Sequence, residues 1–457
     1  GNNVSASTQK LSVAGDLVQL QILRLQGKTV VEDLAITGKV QVNETQTQKP
    51  EDVPLKLAGD LVTLVRGSGP NAKLEVKGRP AQVSARGLTL SGATIHLHRG
   101  ENRLWIDGPG EAELPVPQEG LQMRTLQPPP TESPASVPAG FPVTKGGGEV
   151  RQMKVTWAKG MNFDGQRATF EGEVQARGEE EYAAAEALNV TLTQRIDFSA
   201  AKQAGPAEIA TLTLEGGKSP ILLQQVTRDK MGEQTAFNNL RAGKLTVDRL
   251  ANTLTAEGPG EAWSVRKDSP ALLADMPDAP QKPSDGKLTY ICVKFEGGIN
   301  GKLDTHEIRF ERQVDTTYSR VNDWKDRVFA TKTEDLGPSG AHMTSDALTV
   351  TEMSLSKTQK WVELEATGNV IVDGKSFTAR ASRIGYTSDK DQLVLEGDGR
   401  NDAEFWHQAA PGSQHSYTAA GKIRFQRKTN TLEVDDGKSL TLGSLPPSNK
   451  PLPSRRR

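Results

Sequence analysis

The stretch SFTARASRIGYTSDKDQLVLEGDG (376–399) alternates apolar and polar residues on both sides of a short polar turn. Its fixed positions are Ala381, Ile384, Tyr386, Asp391, Leu393 and Gly397. Because alternate residues of a strand point to the same face, this spacing predicts a half-buried β-hairpin. Asp391 falls in the turn, where Asp and Asn tolerate the left-handed backbone conformation that a tight hairpin needs.

The same spacing occurs three more times, so the hairpin is a repeat. The other copies are Gly92, Ile95, Leu97, Asn102, Leu104 and Gly108; Ala242, Leu245, Val247, Asn252, Leu254 and Gly258; and Ala420, Ile423, Phe425, Asn430, Leu432 and Asp436. A shorter pattern, x-x-G-x-V-x-[VA], occurs as ITGKVQV (36–42), FEGEVQA (170–176) and ATGNVIV (366–372), with FEGGING (295–301) as a weaker copy. Such self-similarity predicts a fold built from one β unit with mostly local contacts.

One segment resembles a helix in composition, and two others resemble phosphate-binding loops. EEEYAAAEAL (179–188) is rich in helix formers, but the alternation continues through Val190 and Leu192, which favours a strand. GPGEAE (108–113) and GPGEAW (258–263) resemble glycine-rich phosphate loops, yet the strand pattern continues after both of them. We therefore interpret these two segments as turns.

The composition argues against several classes of protein. The 457 residues include 56 Lys+Arg and 57 Asp+Glu, a balance that argues against nucleic acid as the main partner. Cys292 is the only cysteine, which excludes a disulfide framework and a CxxC-type zinc site. The sequence has no run of about 18 apolar residues. It opens with Gly1 and shows no signal segment, so we expect a processed form or a fragment.

Proline-rich stretches divide the chain. Residues 115–148 contain eight prolines and end in three glycines, and residues 268–287 form a shorter stretch of the same kind. This composition predicts linkers, and it predicts a disordered tail at 443–457. We therefore expect three β modules, at 1–114, 149–267 and 288–442.

At the residues quoted above, the sequence resembles the OstA-like family of lipopolysaccharide-transport proteins. LEATGNVIV (364–372) and the stretch 376–399 carry the similarity, and further copies of the pattern occur in all three modules. The resemblance implies an apolar interior that holds acyl chains, and modules that join edge to edge. Long proline-rich insertions and irregular spacing depart from the family's pattern, which leaves open whether the chain is the family's periplasmic bridge protein or a larger relative.

The fold that we expect is all-β and antiparallel. It consists of repeat-built open β-jellyroll (β-taco) modules, as the resemblance implies, or of a β-solenoid-like sandwich. The candidate lipid-binding residues are the inward-facing apolar positions of the hairpins, whereas His96, Thr246 and Arg424 are predicted to face away. These candidates are Ile95, Leu97, Leu104, Ile106, Leu245, Val247, Leu254, Ile384, Tyr386, Leu393, Leu395, Ile423, Phe425, Leu432 and Val434. An aliphatic interior with few aromatic residues suits acyl chains, but a packed core would show the same pattern.

The sequence offers no recognisable catalytic site. It contains no evident Ser/His/Asp set, Cys/His pair or carboxylate pair of defined geometry, so we predict a protein without enzymatic activity or cofactor. His96 and His98 could chelate a metal from one strand. No third ligand is near them in sequence, and a polar strand face explains them, so no metal site is predicted.

These observations predict a non-enzymatic protein of the periplasm or cell envelope. It would bind the acyl chains of lipopolysaccharide or a related glycolipid in an apolar groove and pass the lipid between membranes. The expected partners are this glycolipid and other β-jellyroll transport proteins, joined by edge-to-edge strand addition, and not nucleic acid. The alternative is a structural or adhesive cell-surface β-solenoid without a ligand groove. The third option, a carbohydrate-binding or polysaccharide-processing protein, would need exposed aromatic residues clustered in one cleft.

Overall fold

The computed structural model describes residues 4–7, 11–25, 28–44, 54–85, 88–116, 151–198, 208–229, 231–267, 288–329, 333–337, 340–354, 360–374, 377–408, 414, 416–426, 429 and 431–441. Most of these residues lie in antiparallel β-strands, which confirms the predicted all-β fold. They contain no α-helix, one 3₁₀ helix (Thr333–Leu336), and no helix long and apolar enough to cross a membrane. The predicted linkers and tail lie outside the described residues, apart from Pro115 and Val116.

The described residues divide into two compact units. Unit 1 takes in those up to Val116, together with 151–225 and 241–256, and unit 2 takes in 226–240 and 257–441. The strands wholly or mostly in unit 1 are β1 (Val4–Ser7), β2 (Leu11–Gly15), β3 (Leu17–Leu25), β4 (Lys28–Glu44), β5 (Lys56–Val65), β6 (Lys73–Ala85), β7 (Leu88–His98), β8 (Arg103–Asp107), β9 (Gly110–Val116), β10 (Arg151–Trp157), β11 (Gly160–Phe163), β12 (Arg167–Arg177), β13 (Glu181–Leu192), β14 (Ile209–Glu215), β15 (Ile221–Arg228), β17 (Lys244–Asp248) and β18 (Thr253–Glu257).

The strands wholly or mostly in unit 2 are β16 (Gln234–Ala242), β19 (Gly260–Lys267), β20 (Leu288–Phe295), β21 (Gly298–Lys302), β22 (Glu307–Val321), β23 (Ala341–Ser354), β24 (Lys360–Gly374), β25 (Phe377–Thr387), β26 (Gln392–Glu396), β27 (Ala403–His407), β28 (Ser416–Gln426) and β29 (Thr431–Thr441). The division into three modules stays a prediction. The segment 181–192 is strand β13, as its alternation predicted, and both GPGEA segments join two strands without a helix.

Long strands in both units change direction at a β-bulge. The residues at the bulge are Gly38–Lys39 in β4, Gly172–Glu173 in β12 and Gly368–Asn369 in β24, and each of them has a positive φ. The pairing register shifts at the same positions. The x-x-G-x-V pattern therefore marks the bulge, because glycine adopts a positive φ without steric cost.

The short pattern was not a complete guide to these bends. Strand β22 has the same bulge at Arg312 and Gln313, with φ values of 60° and 49°, where the sequence has no glycine. The weaker copy FEGGING forms no bulge of this type, because β20 ends at Phe295 and β21 begins at Gly298. Pairing with neighbouring strands that bend at the same level can thus impose a left-handed backbone on residues that do not favour it.

Each bend divides a strand into two arms. In β7, residues 95–98 pair with β8 and residues 89–92 pair with β9. Strand β25 is divided in the same way between β26 and β27. Within each unit, arm A is the side that contains the hairpin turns of the repeat, and arm B is the other side. Three of those turns have Asn102, Asn252 and Asp391 at positive φ, as predicted, and the fourth, at Asn430, lies outside the described residues.

In arm A of unit 1, partner residues on eleven strands form two continuous apolar rows. The deep row, nearest the bend, is Val18, Ile36, Val62, Val76, Ile95, Ile106, Met161, Phe170, Leu188, Leu214 and Leu245. The rim row, two residues farther from the bend, is Leu20, Leu34, Leu64, Leu74, Leu97, Leu104, Phe163, Ala168, Val190, Leu212 and Val247.

Arm A of unit 2 has the same two rows. Its deep row is Ile299, Phe310, Leu348, Ala366, Ile384, Leu395, Ile423 and Val434. Its rim row is Ile308, Val350, Leu364, Tyr386, Leu393, Phe425 and Leu432. Partner residues in an antiparallel ladder share a face, so each row lines one side of the sheet.

Candidate functional site

The rim row of unit 1 is an aliphatic stripe that remains partly open to solvent. Its residues are half-buried, except for Leu20, which is 49% exposed, and Leu212, which is buried. The deep row beneath it is buried apart from Val18. With strands about 4.8 Å apart, eleven strands give a stripe about 48 Å long along the ladder. A long, partly exposed apolar stripe is the kind of surface that takes an elongated apolar ligand.

Arm B of unit 1 presents small and aliphatic side chains. One row of register partners runs through Val13, Val42, Leu57, Val83, Leu90, Ala112, Val155, Ala176, Ala183 and Leu223. Three of its last five residues are alanines, which extend only a short way from the sheet. Trp157 in arm B and Phe170 in the deep row of arm A have ring centroids 5.2 Å apart. The two arms therefore touch at the depth of the deep row.

At the level of the rim row, the interior of unit 2 is closed, whereas that of unit 1 is partly open. Phe425, in the rim row of arm A, is 3% exposed, and its ring lies 5.3 Å from that of Phe405 in arm B. His407 adds a second ring, 5.9 Å from Phe425. Tyr386 and Leu393 in the same row are also buried. These aromatic contacts across the interior make this part of unit 2 a packed core.

The sequence-predicted lining residues take the positions that alternation assigned to them. Ile95, Ile106, Leu245, Ile384, Leu395, Ile423 and Val434 lie in deep rows, and Leu97, Leu104, Val247, Tyr386, Leu393, Phe425 and Leu432 lie in rim rows. Leu254 is buried. On the last strand, Val434 is exposed and Leu432 is half-buried. That these residues bind lipid stays a prediction.

Sequence reasoning missed most of the rim row of unit 1. Leu20, Leu34, Leu64, Leu74 and Leu212 lie outside the hairpin repeat. Ordinary apolar–polar alternation in β3, β5, β6 and β14 was the signal that could have found them. The register of strands far apart in sequence was needed to show that they continue the row of Leu97 and Leu104.

His96 and His98, which could chelate a metal from one strand, both contact Trp105. The His96 ring stacks on it with centroids 4.6 Å apart and planes 11° apart, and His98 meets it edge-on at 4.6 Å. The Arg103 guanidinium lies 4.7 Å from the same indole. Within the described ranges, no group of three or more His, Cys, Asp or Glu is placed to hold a metal ion.

Cys292 belongs to a hydrophobic cluster on one face of β19 and β20, and Ala262 and Val293 lie on the other face of these strands. The cluster consists of Trp263, Val265, Leu288, Tyr290, Cys292 and Val321, with Phe237, Trp324 and Val328 packed against it. Arg327 donates to both carboxylate oxygens of Glu261, at 2.9 and 2.8 Å. Burial raises the pKa of the Cys292 thiol, so this thiol is a poor nucleophile.

One segment of the chain matches a known protein family. Residues 339–431 match the family described as LptA/(LptD N-terminal domain) LPS transport protein. The matched range covers β23–β28 of unit 2 and includes the stretch 376–399. The resemblance inferred from the sequence is therefore confirmed for this segment, and it associates the chain with lipopolysaccharide transport in the cell envelope. No curated protein matches the chain.

Proposed function

We propose that the protein binds the acyl chains of lipopolysaccharide, or of a related glycolipid, along the rim row of unit 1 and passes the lipid between membranes without covalent chemistry. The observation that carries the proposal is the half-exposed aliphatic row on eleven neighbouring strands. The family match at residues 339–431 supplies the class of ligand.

The driving force would be burial of acyl surface. Each buried methylene group contributes roughly 0.8 kcal/mol, so a chain of several methylenes gains enough to bind. The rim row is made mostly of Leu and Val, which offer no hydrogen-bonding groups to fix one ligand in place. Neighbouring positions in the row are chemically alike, and a bound chain could therefore shift along the row at little cost.

The exposed edge of unit 1 supports partnership with another β-jellyroll protein. Among the described strands, β3 pairs with β4 alone. Leu17, Leu20, Ile22 and Leu23 of β3 are exposed. An apolar edge strand of this kind invites strand addition from another module, which would extend the rim row into the partner. A periplasmic location follows from this proposed role between two membranes.

Site-specific photocrosslinking tests the proposal with matched positions on one strand. A photoreactive residue at Leu97 faces the rim row, and one at His96 faces the other side, although both positions are half-buried. We expect lipopolysaccharide to crosslink at Leu97 and at Leu74, and not at His96 or Glu75. Equal labelling on the two faces, or none on either, would contradict the proposal.

The closed interior of unit 2 favours the alternative for that part of the chain. Phe405 and Phe425 fill the space in which a carrier would hold its ligand. If unit 1 is equally closed in solution, the protein is a structural or adhesive β-solenoid. In that case no position in either rim row would crosslink to lipid, whereas the purified protein would remain folded.

A further inference from the structure

Three strands of arm A in unit 1 continue past the rim row to an arginine. In each case the arginine stands two residues beyond a rim residue, farther from the bend. They are Arg66 after Leu64, Arg99 after Leu97 and Arg249 after Val247. Because alternate residues of a strand share a face, this spacing predicts that the three side chains start on the side of the sheet that carries the row.

Backbone pairing supports this face for Arg99 and Arg249. Arg99 N donates to Ala72 O at 2.9 Å, and Arg249 N donates to Ala210 O at 2.8 Å. These bonds continue the registers of β6 with β7 and of β14 with β17 by one residue. Both alanines are buried, so the two arginines stand at the boundary between the apolar interior and solvent.

The three guanidinium groups make little use of the protein itself. Arg66 and Arg249 are exposed, and Arg99 is half-buried. Among the described residues none of them forms an ion pair, and the single hydrogen bond from their side chains is a long one, from Arg99 Nη1 to Gly69 O at 3.5 Å. Arginine packs its methylene stem against apolar surface and keeps its charged end in water, and the head group of an amphiphile bound along the row would lie at the same boundary.

The carboxylates in and beside these turns bind other groups. They are Glu32, which accepts from Ser68 Oγ, Asp33, which accepts from Arg66 N at 3.1 Å, Glu101, 3.2 Å from His98 Nδ1, and Asp248, which accepts from Ala251 N at 2.8 Å. Their charges reduce the local positive charge. The guanidinium N–H groups, which match phosphate oxygens best, are left for a ligand.

The closed row of unit 2 differs at the same level. Its residues two positions beyond the rim include no arginine among those that the structure describes. They are His306, Glu352, Val362, Ser388 and Asp391. Arg427, two residues after Phe425, lies outside the described residues. In the described part of the molecule, arginine therefore accompanies the partly open row.

We propose that Arg66 and Arg99 bind the phosphate of an amphiphile's head group while its acyl chains lie on the rim row, and that Arg249 is a second phosphate anchor farther along. The site rests on the proposed function. With strands about 4.8 Å apart, Arg66 and Arg99 stand about 10 Å apart along the ladder, and Arg249 about 29 Å from Arg99. Charge-assisted, bidentate hydrogen bonds would hold the phosphate. Free inorganic phosphate offers the same chemistry and is the second source to be tested.

The experiment compares the full-length chain with two triple variants of equal charge. The site variant combines Arg66→Gln, Arg99→Gln and Arg249→Gln, because a single substitution would leave the other anchor in place. The control variant combines Arg103→Gln, Arg167→Gln and Arg177→Gln, which alter arginines on the outward face of unit 1. The probes are lipopolysaccharide, the same lipid after enzymatic removal of its phosphates, and inorganic phosphate.

We expect the unaltered protein to bind the phosphorylated lipid about tenfold more tightly than the dephosphorylated one, with a preference that weakens as salt is added. The site variant should bind both lipids equally, at the affinity that the unaltered protein has for the dephosphorylated lipid. Crosslinking to lipid from a photoreactive residue at Leu97 should persist in that variant, and its unfolding midpoint should be unchanged. The control variant should retain the preference.

Other results would overturn the site or the proposed function separately. Crosslinking at Leu97 with equal affinity for the two lipids would overturn the arginine site and leave the proposed function standing. Loss of the preference in the control variant as well would also overturn the site, because the effect would then follow from total charge. If inorganic phosphate raised the unfolding midpoint of the unaltered protein alone, without any preference between the lipids, the arginines would bind free phosphate and not a head group. No binding of either lipid would refute the proposed function itself.

Discussion

The rim rows of the two units use one architecture and reach opposite results. In unit 1 the row is mostly aliphatic and half-exposed, whereas in unit 2 Tyr386, Leu393 and Phe425 are buried. The difference lies in what faces the row. Arm B of unit 1 presents alanines such as Ala176 and Ala183, whereas arm B of unit 2 presents Phe405. Large side chains on both arms fill the interior, and small ones on one arm leave it open.

The two units are expected to differ most in their response to loss of a rim-row phenylalanine. Phe425→Ala in unit 2 removes a buried ring that packs on Phe405, and we expect a loss of about 3–5 kcal/mol in the free energy of unfolding. Phe163→Ala in unit 1 removes a half-buried ring that contacts Phe198, so the expected loss is about half of that or less. Denaturant unfolding of both full-length variants measures the difference.

The same pair of variants also tests which unit can be opened. If Phe425 keeps lipid out of unit 2, a photoreactive residue at Leu393 should crosslink to lipid in the Phe425→Ala background and not in the unaltered protein. Similar losses of stability in the two variants, with no new crosslink, would show that the two rows do not differ as their burial indicates.

Both units contain the same glycine-marked bulge. Gly172 in unit 1 and Gly368 in unit 2 have φ values of 83° and 77°, and a Cβ at either position would meet a neighbouring side chain. Alanine at each should therefore cost about 1–2 kcal/mol. Gly385→Ala is the control, since its Cβ would come no closer than 4.0 Å to the atoms around it. If only one of the two bulge variants loses stability, the bend is not equivalent in the two units.

The smallest expected effect is a pH dependence in unit 2. His342 Nε2 lies 3.0 Å from Asp315 Oδ2, and this contact raises the pKa of His342 and lowers that of Asp315. The histidine contribution is complete below about pH 6.5, its ordinary value, and is lost as pH rises through the raised pKa. The aspartate contribution is present above about pH 4 and is lost as pH falls through the lowered pKa.

The pair should therefore stabilise unit 2 most between about pH 4 and 6.5. Because both side chains are partly exposed, the gain is under about 1 kcal/mol. His342→Gln should remove the fall in unfolding midpoint that begins as the pH rises above about 6.5, and His96→Gln, in unit 1, is the comparison variant. An unchanged pH profile in His342→Gln would assign the dependence to other groups.

Much of the fold could be predicted from short patterns. Asn102 and Asp391 adopt the left-handed backbone expected of the hairpin turn, and Gly38, Gly172 and Gly368 occupy bulges. These features depend on the residue itself and its nearest neighbours in sequence. The bulge at Arg312 and Gln313 was missed because the adjoining strands impose it.

The candidate site was predictable only in part. Alternation assigned Leu97 and Leu104 to the correct face, but it could not separate an open row from a packed one. The burial of Arg266 was not predicted, because no short sequence pattern distinguishes a buried arginine from an exposed one. Only the tertiary structure shows that Arg266 is buried and that it donates to Ser264.

The sequence by itself determined the strands, the turns, most of the bends and the face on which each apolar residue lies, because these depend on backbone preference and on a period of two residues. The tertiary structure alone decided that the row of unit 1 is partly open, that Phe405 and Phe425 close the row of unit 2, and that Arg266 is buried. Those outcomes depend on the distance between two arms and on the volumes of side chains far apart in the chain, and no short pattern encodes either quantity.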